Sequence, residues 1–168
     1  MPWWVRKLGS KTLWDDPTPE EADWLGPGDL RADALRDLET EQNTLSIFEV
    51  DEQSGISESR ILAALAANCN NLAKADFVVF DSPIIGELGI VYERIDGRTF
   101  DGGVNARHVN LVKLTAGKLA AFGARVRSDG DKKRYTKKDV LRLIRDSVSR
   151  GFIDPNQLAP DIRKYVVT

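Results

Sequence analysis

The apolar positions of the chain change their period several times, and each change predicts an element. "DLRADALRDLETEQ" opens on Asp29, a favourable helix N-cap, and sets Leu30, Ala34, Leu35 and Leu38 on one helical face. "NTLSIFEVDE" reads as a strand, with Ile47, Phe48 and Val50 supplying β-branched and aromatic side chains. After the turn "QSG", Ser57 can cap a helix over 58–73 whose Ile61, Leu62, Leu65, Ala66, Cys69 and Leu72 recur at helical spacing. "DFVVFD" is apolar on both faces, as in a strand covered from both sides. Residues 44–81 therefore read as a β-α-β unit with a parallel pairing.

"GIVYERIDGRTFDGG" alternates and contains Asp96-Gly97, which predicts a two-residue hairpin within 90–100. "HVNLVKL" follows as a further strand, and Thr115 caps a helix in "AGKLAAF". "GARVRSDGDKKRY" reads as a basic loop or hairpin. Thr136 caps "KKDVLRLIRDSVSR", with Val140, Leu141, Ile144 and Val148 as its stripe and Gly151 as its stop. The expected fold class is α+β, with α/β as the variant: a mixed sheet of about four or five strands with helices packed on it. Residues 1–28 read as an irregular arm holding four tryptophans, packed on a single domain over 29–168 whose C-terminal helical part is basic.

A chain of 168 residues has the size of one domain, and folding at that length hides roughly 70% of the unfolded surface. No apolar run approaches the ~18 residues of a membrane span, and the start lacks an apolar signal segment. A cytoplasmic location and no membrane contact are the expectations, and the compactness suggests a prokaryotic protein. Cys69 is alone, which excludes a disulfide framework, and its helical spacing predicts a small buried hydrophobe. One histidine and one cysteine cannot build a His/Cys zinc site, so no metal or cofactor is expected from those ligands.

Charge changes the picture more than composition does. Residues 1–100 hold 9 Lys or Arg against 19 Asp or Glu, a balance of −10, whereas residues 101–168 hold 15 against 7, a balance of +8. The densest stretch puts Lys132, Lys133, Arg134, Lys137 and Lys138 around Tyr135, with Arg142 on the following helix. Cations interleaved with an aromatic suit phosphate contact and base stacking. The same residues equally suit a solvated surface, or an acidic protein surface that includes this chain's own N-terminal half, within one molecule or in a homo-oligomer.

Three residues offer chemistry. Asp51 and Asp81 follow predicted strands, and parallel neighbours would present both carboxylates at one sheet edge, where Glu52 or Glu87 could join them around a hard cation. His108 lies in the loop "FDGGVNARHV", where an adjacent carboxylate would suit acid or base work. Asp is also common where strands end in turns, and a lone His often ties loop backbone to a sheet. The sequence thus favours a small non-enzymatic binding or accessory protein acting through protein or nucleic-acid contacts. The alternative is a hydrolase or nuclease-like enzyme using Asp51 and Asp81, with His108 or the basic residues placing a phosphate.

Overall fold

The computed structural model describes residues 3–26, 28–38 and 40–167. Met1, Pro2, Pro27, Glu39 and Thr168, which fall in the expected arm, the expected first helix and the tail, lie outside the described residues. In chain order the elements are β1 (Trp3–Leu8), α1 (Pro19–Ala22), α2 (Ala32–Asp37), β2 (Leu45–Val50), α3 (Glu58–Ala67), β3 (Ala75–Asp81) and α4 (Pro83–Glu87). They continue as β4 (Val91–Arg94), α5 (Gly102–Asn105), β5 (His108–Val112), α6 (Ala116–Asp129), β6 (Asp131–Tyr135), α7 (Lys137–Ser149) and α8 (Pro160–Val166). Six strands form one sheet in the order β4-β5-β2-β1-β3-β6.

Every neighbouring pair in that sheet is antiparallel. The α+β class is therefore correct, while the parallel β-α-β pairing and the count of four or five strands are not. β2 and β3 do run the same way and α3 does join them. But β1 inserts between them and pairs antiparallel with both, with Trp3 opposite Val50 on one side and Asp81 on the other. The two-sided apolar pattern of β3 comes from helices on both faces of the sheet, which a parallel strand would also require.

One face carries α3, α5, α7 and α8, joined to the sheet by Val5, Phe48, Phe77 and Val79 around Ile61, Leu62, Val104, Ile144 and Ile162. The other face carries α2, α4 and α6 over Trp4, Leu8, Ile47, Val78, Phe80 and Leu111. Strand alternation sends successive residues of β1 and β3 into these two cores in turn.

Trp3–Leu8 form a central strand, where an irregular arm is expected. Its tryptophans divide: Trp4 and Trp14 are buried, whereas Trp3 is 48% and Trp24 67% exposed. Trp14 donates its indole N–H to Asp37 at 2.9 Å, and Arg31 ties the following segment down through Glu21 and the carbonyls of Leu13 and Asp15. Asp29 does not cap α2, whose N-cap is Arg31; its carboxylate instead accepts the Gly26 N–H.

Ser57, Thr115 and Thr136 cap α3, α6 and α7 as their sequence contexts predict, and Thr136 shares a capping box with Asp139. α7 stops at Gly151, where φ is 72° and the N–H groups of Gly151 and Phe152 reach back to Val148 and Ser147. α6 extends through "GARVRSD" to Asp129, so the expected basic loop is helix and then the edge strand β6. α3 ends at Ala67, and Cys69 lies beyond it, half-buried, with the Lys7 ammonium 3.5 Å from its sulfur. The expected hairpin at Asp96-Gly97 is absent. β4 pairs with β5 across a longer loop containing α5, because Gly97 sits tight against Asn105 and His108 and not in a two-residue turn.

Candidate functional site

The antiparallel insertion of β1 still delivers β2 and β3 to the same rim of the sheet, and β5 starts there too, with His108 opposite Phe48. Asp51, Asp81 and His108 thus share a rim. Their polar atoms have separate engagements. Asp51 accepts from the Ser54 N–H and Oγ at 3.2 and 2.7 Å and from Arg107 at 2.6 Å, and those Ser54 bonds, then Arg107, hold its carboxyl below the usual range. His108 is buried, its Nδ1 lies 2.7 Å from the Ile95 carbonyl oxygen, and its ring packs against Phe48 with centroids 5.0 Å apart. Asp81 is half-buried at the end of β3. Among the described residues, no hydrogen bond or ion pair joins any two of the three, and no group of three His, Cys, Asp or Glu is placed to hold a metal. Glu87 is bound to Arg125 between α4 and α6.

The rim holds instead an ion-pair chain that the sequence reading did not anticipate. Glu49 receives Arg94 from β4 at 2.6 Å and Arg107 at 3.7 Å, and Arg107 continues to Asp51. These residues are far apart in sequence, and only the register of β2, β4 and β5 brings them together.

The basic stretch divides sharply at Thr136. Within β6, Lys133 reaches Glu58 of α3 at 2.8 Å, and Tyr135 donates its hydroxyl to the other Glu58 oxygen at 3.1 Å. Burial and the Glu58 charge both push the Tyr135 phenol up, while for Lys133 burial is outweighed by Glu58 and Asp131 together and its pKa rises. Arg134 grips Asp76 across the β3–β6 pair, and Lys132 caps the Arg127 carbonyl at 2.8 Å. These four side chains hold the edge strand to the body.

On α7 the cations are exposed, whereas on α8 Arg163 is half-buried against the Asn156 and Leu158 carbonyls and Lys164 is paired with Asp161 at 2.8 Å. Lys137, Lys138 and Arg142 are exposed on α7, and Arg142 approaches Asp139 at 3.6 Å. Opposite them stands Tyr165 of α8, 40% exposed, with the ammonium groups of Lys137 and Lys164 5.6 and 5.2 Å from its ring centroid. Arg145 of α7 donates to the Tyr165 carbonyl, which fixes α8 against α7. A shallow groove of about 400 Å³ along α8 is lined by Pro160, Arg163, Lys164 and Val167. Tyr165 lies twenty-seven residues from Lys138, and only the packing of α8 on α7 could reveal it.

A concavity of about 600 Å³ is lined by Leu13, Asp33, Arg36 and Asp37 on the other face. Asp37 is already engaged there by Trp14 and the Ser10 N–H. No helix among the described residues is long and apolar enough to cross a membrane. Comparison with protein-family models, curated proteins and solved structures yields no match to this chain.

Proposed function

We propose that this α+β protein is a non-enzymatic binding protein whose ligand is single-stranded nucleic acid, held on the surface between α7 and α8. The observation that carries the reading is the exposed Tyr165 ring with two ammonium groups within 6 Å of its centroid, and with Lys138 and Arg142 exposed on α7. A base has a π-face to stack on such a ring, and its flanking phosphates need cations not already committed to internal acids. Lys137, Lys138 and Arg142 suit that role better than Lys133, Arg134 and Tyr135, whose polar atoms are spent on Glu58 and Asp76.

The test is a titration of labelled single- and double-stranded oligonucleotides at low salt. Single strands should bind more tightly, Tyr165→Ala should cost about 1–3 kcal/mol per stacked base, and each lost cation should flatten the salt slope by about 0.7. Detection of no binding, or of binding that ignores Tyr165→Ala and Lys138→Ala, overturns the reading.

The enzyme alternative rests on the shared rim of Asp51, Asp81 and His108 alone. Its expected outcome is a phosphoester hydrolysis lost on Asp81→Ala, the one of the three whose side chain makes no hydrogen bond or ion pair among the described residues.

A further inference from the structure

The two edges of the sheet are guarded unequally. β6 presents Asp131, Lys132, Lys133 and Arg134 in succession, and a charged edge resists pairing with another chain. β4, at the opposite edge, is exposed at all four of its residues. Val91 is 51%, Tyr92 47% and Ile95 47% exposed, so three large apolar side chains meet solvent within five residues. Arg94 is drawn back onto Glu49, and the Tyr92 ring is braced edge-on against buried Trp4 with centroids 5.9 Å apart.

The geometry points to this edge pairing with the same edge of a second copy, β4 against β4, antiparallel about a two-fold axis normal to the sheet. A free edge offers unpaired backbone donors and acceptors whatever its side chains. Symmetry restricts the side chains much further, because residues opposite each other in a sheet face the same way, so the axis must pass through a residue. With the axis at Glu93, Val91 lies opposite Ile95 of the second copy, and Tyr92 opposite Arg94, each pair occurring twice. All three exposed apolar side chains then gain cross-strand cover. An axis at Tyr92 leaves Ile95 unpaired and sets Val91 against Glu93; an axis at Arg94 opposes two guanidinium groups.

The Glu93 register carries one like-charge contact, between the two copies of Glu93, and like charges directly opposite are destabilising. The dimer is accordingly weak and concentration-dependent. Since the axis is normal to the sheet, the α7–α8 faces of both copies look the same way. The dimer itself does not depend on what those faces bind.

Sedimentation velocity of the full chain without nucleic acid, from low micromolar to near-millimolar protein, is the test. The wild type should pass from monomer to dimer. Ile95→Lys breaks both apolar Val91–Ile95 pairs and should weaken the dimer about tenfold, whereas Glu93→Gln should tighten it roughly threefold. Both residues are exposed, so circular dichroism at low concentration should show each variant folded as the wild type. A chain monomeric throughout, or a dimer indifferent to both substitutions, overturns the inference. So does a chain that remains monomeric yet takes up an extended segment of another protein along β4.

Discussion

The Asp76 carboxylate accepts two hydrogen bonds from the Arg134 guanidinium, each 2.8 Å long, and the two residues are direct register partners across β3 and β6. One belongs to the acidic part of the chain and the other to the basic part. Glu58 repeats the relationship with Lys133 and Tyr135. Much of the charge separation seen along the sequence is thus adjacency in space, and it pins an edge strand that has few apolar side chains of its own.

Asp76 is buried, and its pKa lies below the ordinary 3.8 first because Arg134 hydrogen-bonds it, with burial opposing and the Lys11 N–H assisting. A carboxyl with a lower pKa in the folded than in the unfolded state binds protons less readily when folded. Its stabilisation is therefore complete above about pH 4 and is lost as pH falls through the ordinary value toward the folded one. Asp76→Asn should cost about 1–3 kcal/mol at neutral pH and leave a shallower loss of stability in acid, both measured by urea denaturation.

Leu62 and Leu65 share α3 but not its environment: Leu62 is 1% exposed, while Leu65 is only half-buried at the margin of the same core. Leu62→Ala should cost about 2–5 kcal/mol through the cavity it leaves, and Leu65→Ala about 1–2 kcal/mol. Thermal melts of the two variants check the order. Equal losses would contradict this placement of the helix face.

The His108 Nδ1 meets a carbonyl, which can only accept, so Nδ1 carries a proton and donates it to Ile95. Nitrogen chemical shifts of the imidazole should report that proton. His108→Ala, which also removes the contact with Phe48, should cost about 1–3 kcal/mol in chemical denaturation while leaving oligonucleotide binding intact.

Gly130 alone joins α6 to β6. A Cβ there would collide with the Val126 carbonyl oxygen and stand 2.6 Å from Val78 Cγ2, whereas at Gly117 of the same helix it would meet open space. Gly130→Ala should lower stability by about 1–3 kcal/mol. Gly117→Ala should raise it by up to about 1 kcal/mol, and differential scanning calorimetry of the pair reads both signs.

The sequence by itself determined what local chemistry controls. The Ser57, Thr115 and Thr136 caps, the apolar stripe of α7 with its Gly151 stop, and the strands through Ile47 and Val78 follow from side chains within a few residues of one another. Tertiary structure decided what depends on partners distant in the chain. A covered strand looks alike in parallel and antiparallel sheets, so nothing local could tell that β1 separates β2 from β3. Nor could spacing tell which cations find acids: Arg134 is absorbed by Asp76 because β6 lands beside β3, while Lys137 is left with the ring of Tyr165 because α8 folds back on α7. An ionic or aromatic contact acts over a few ångströms of space, and sequence distance carries no information about it until the sheet order is set.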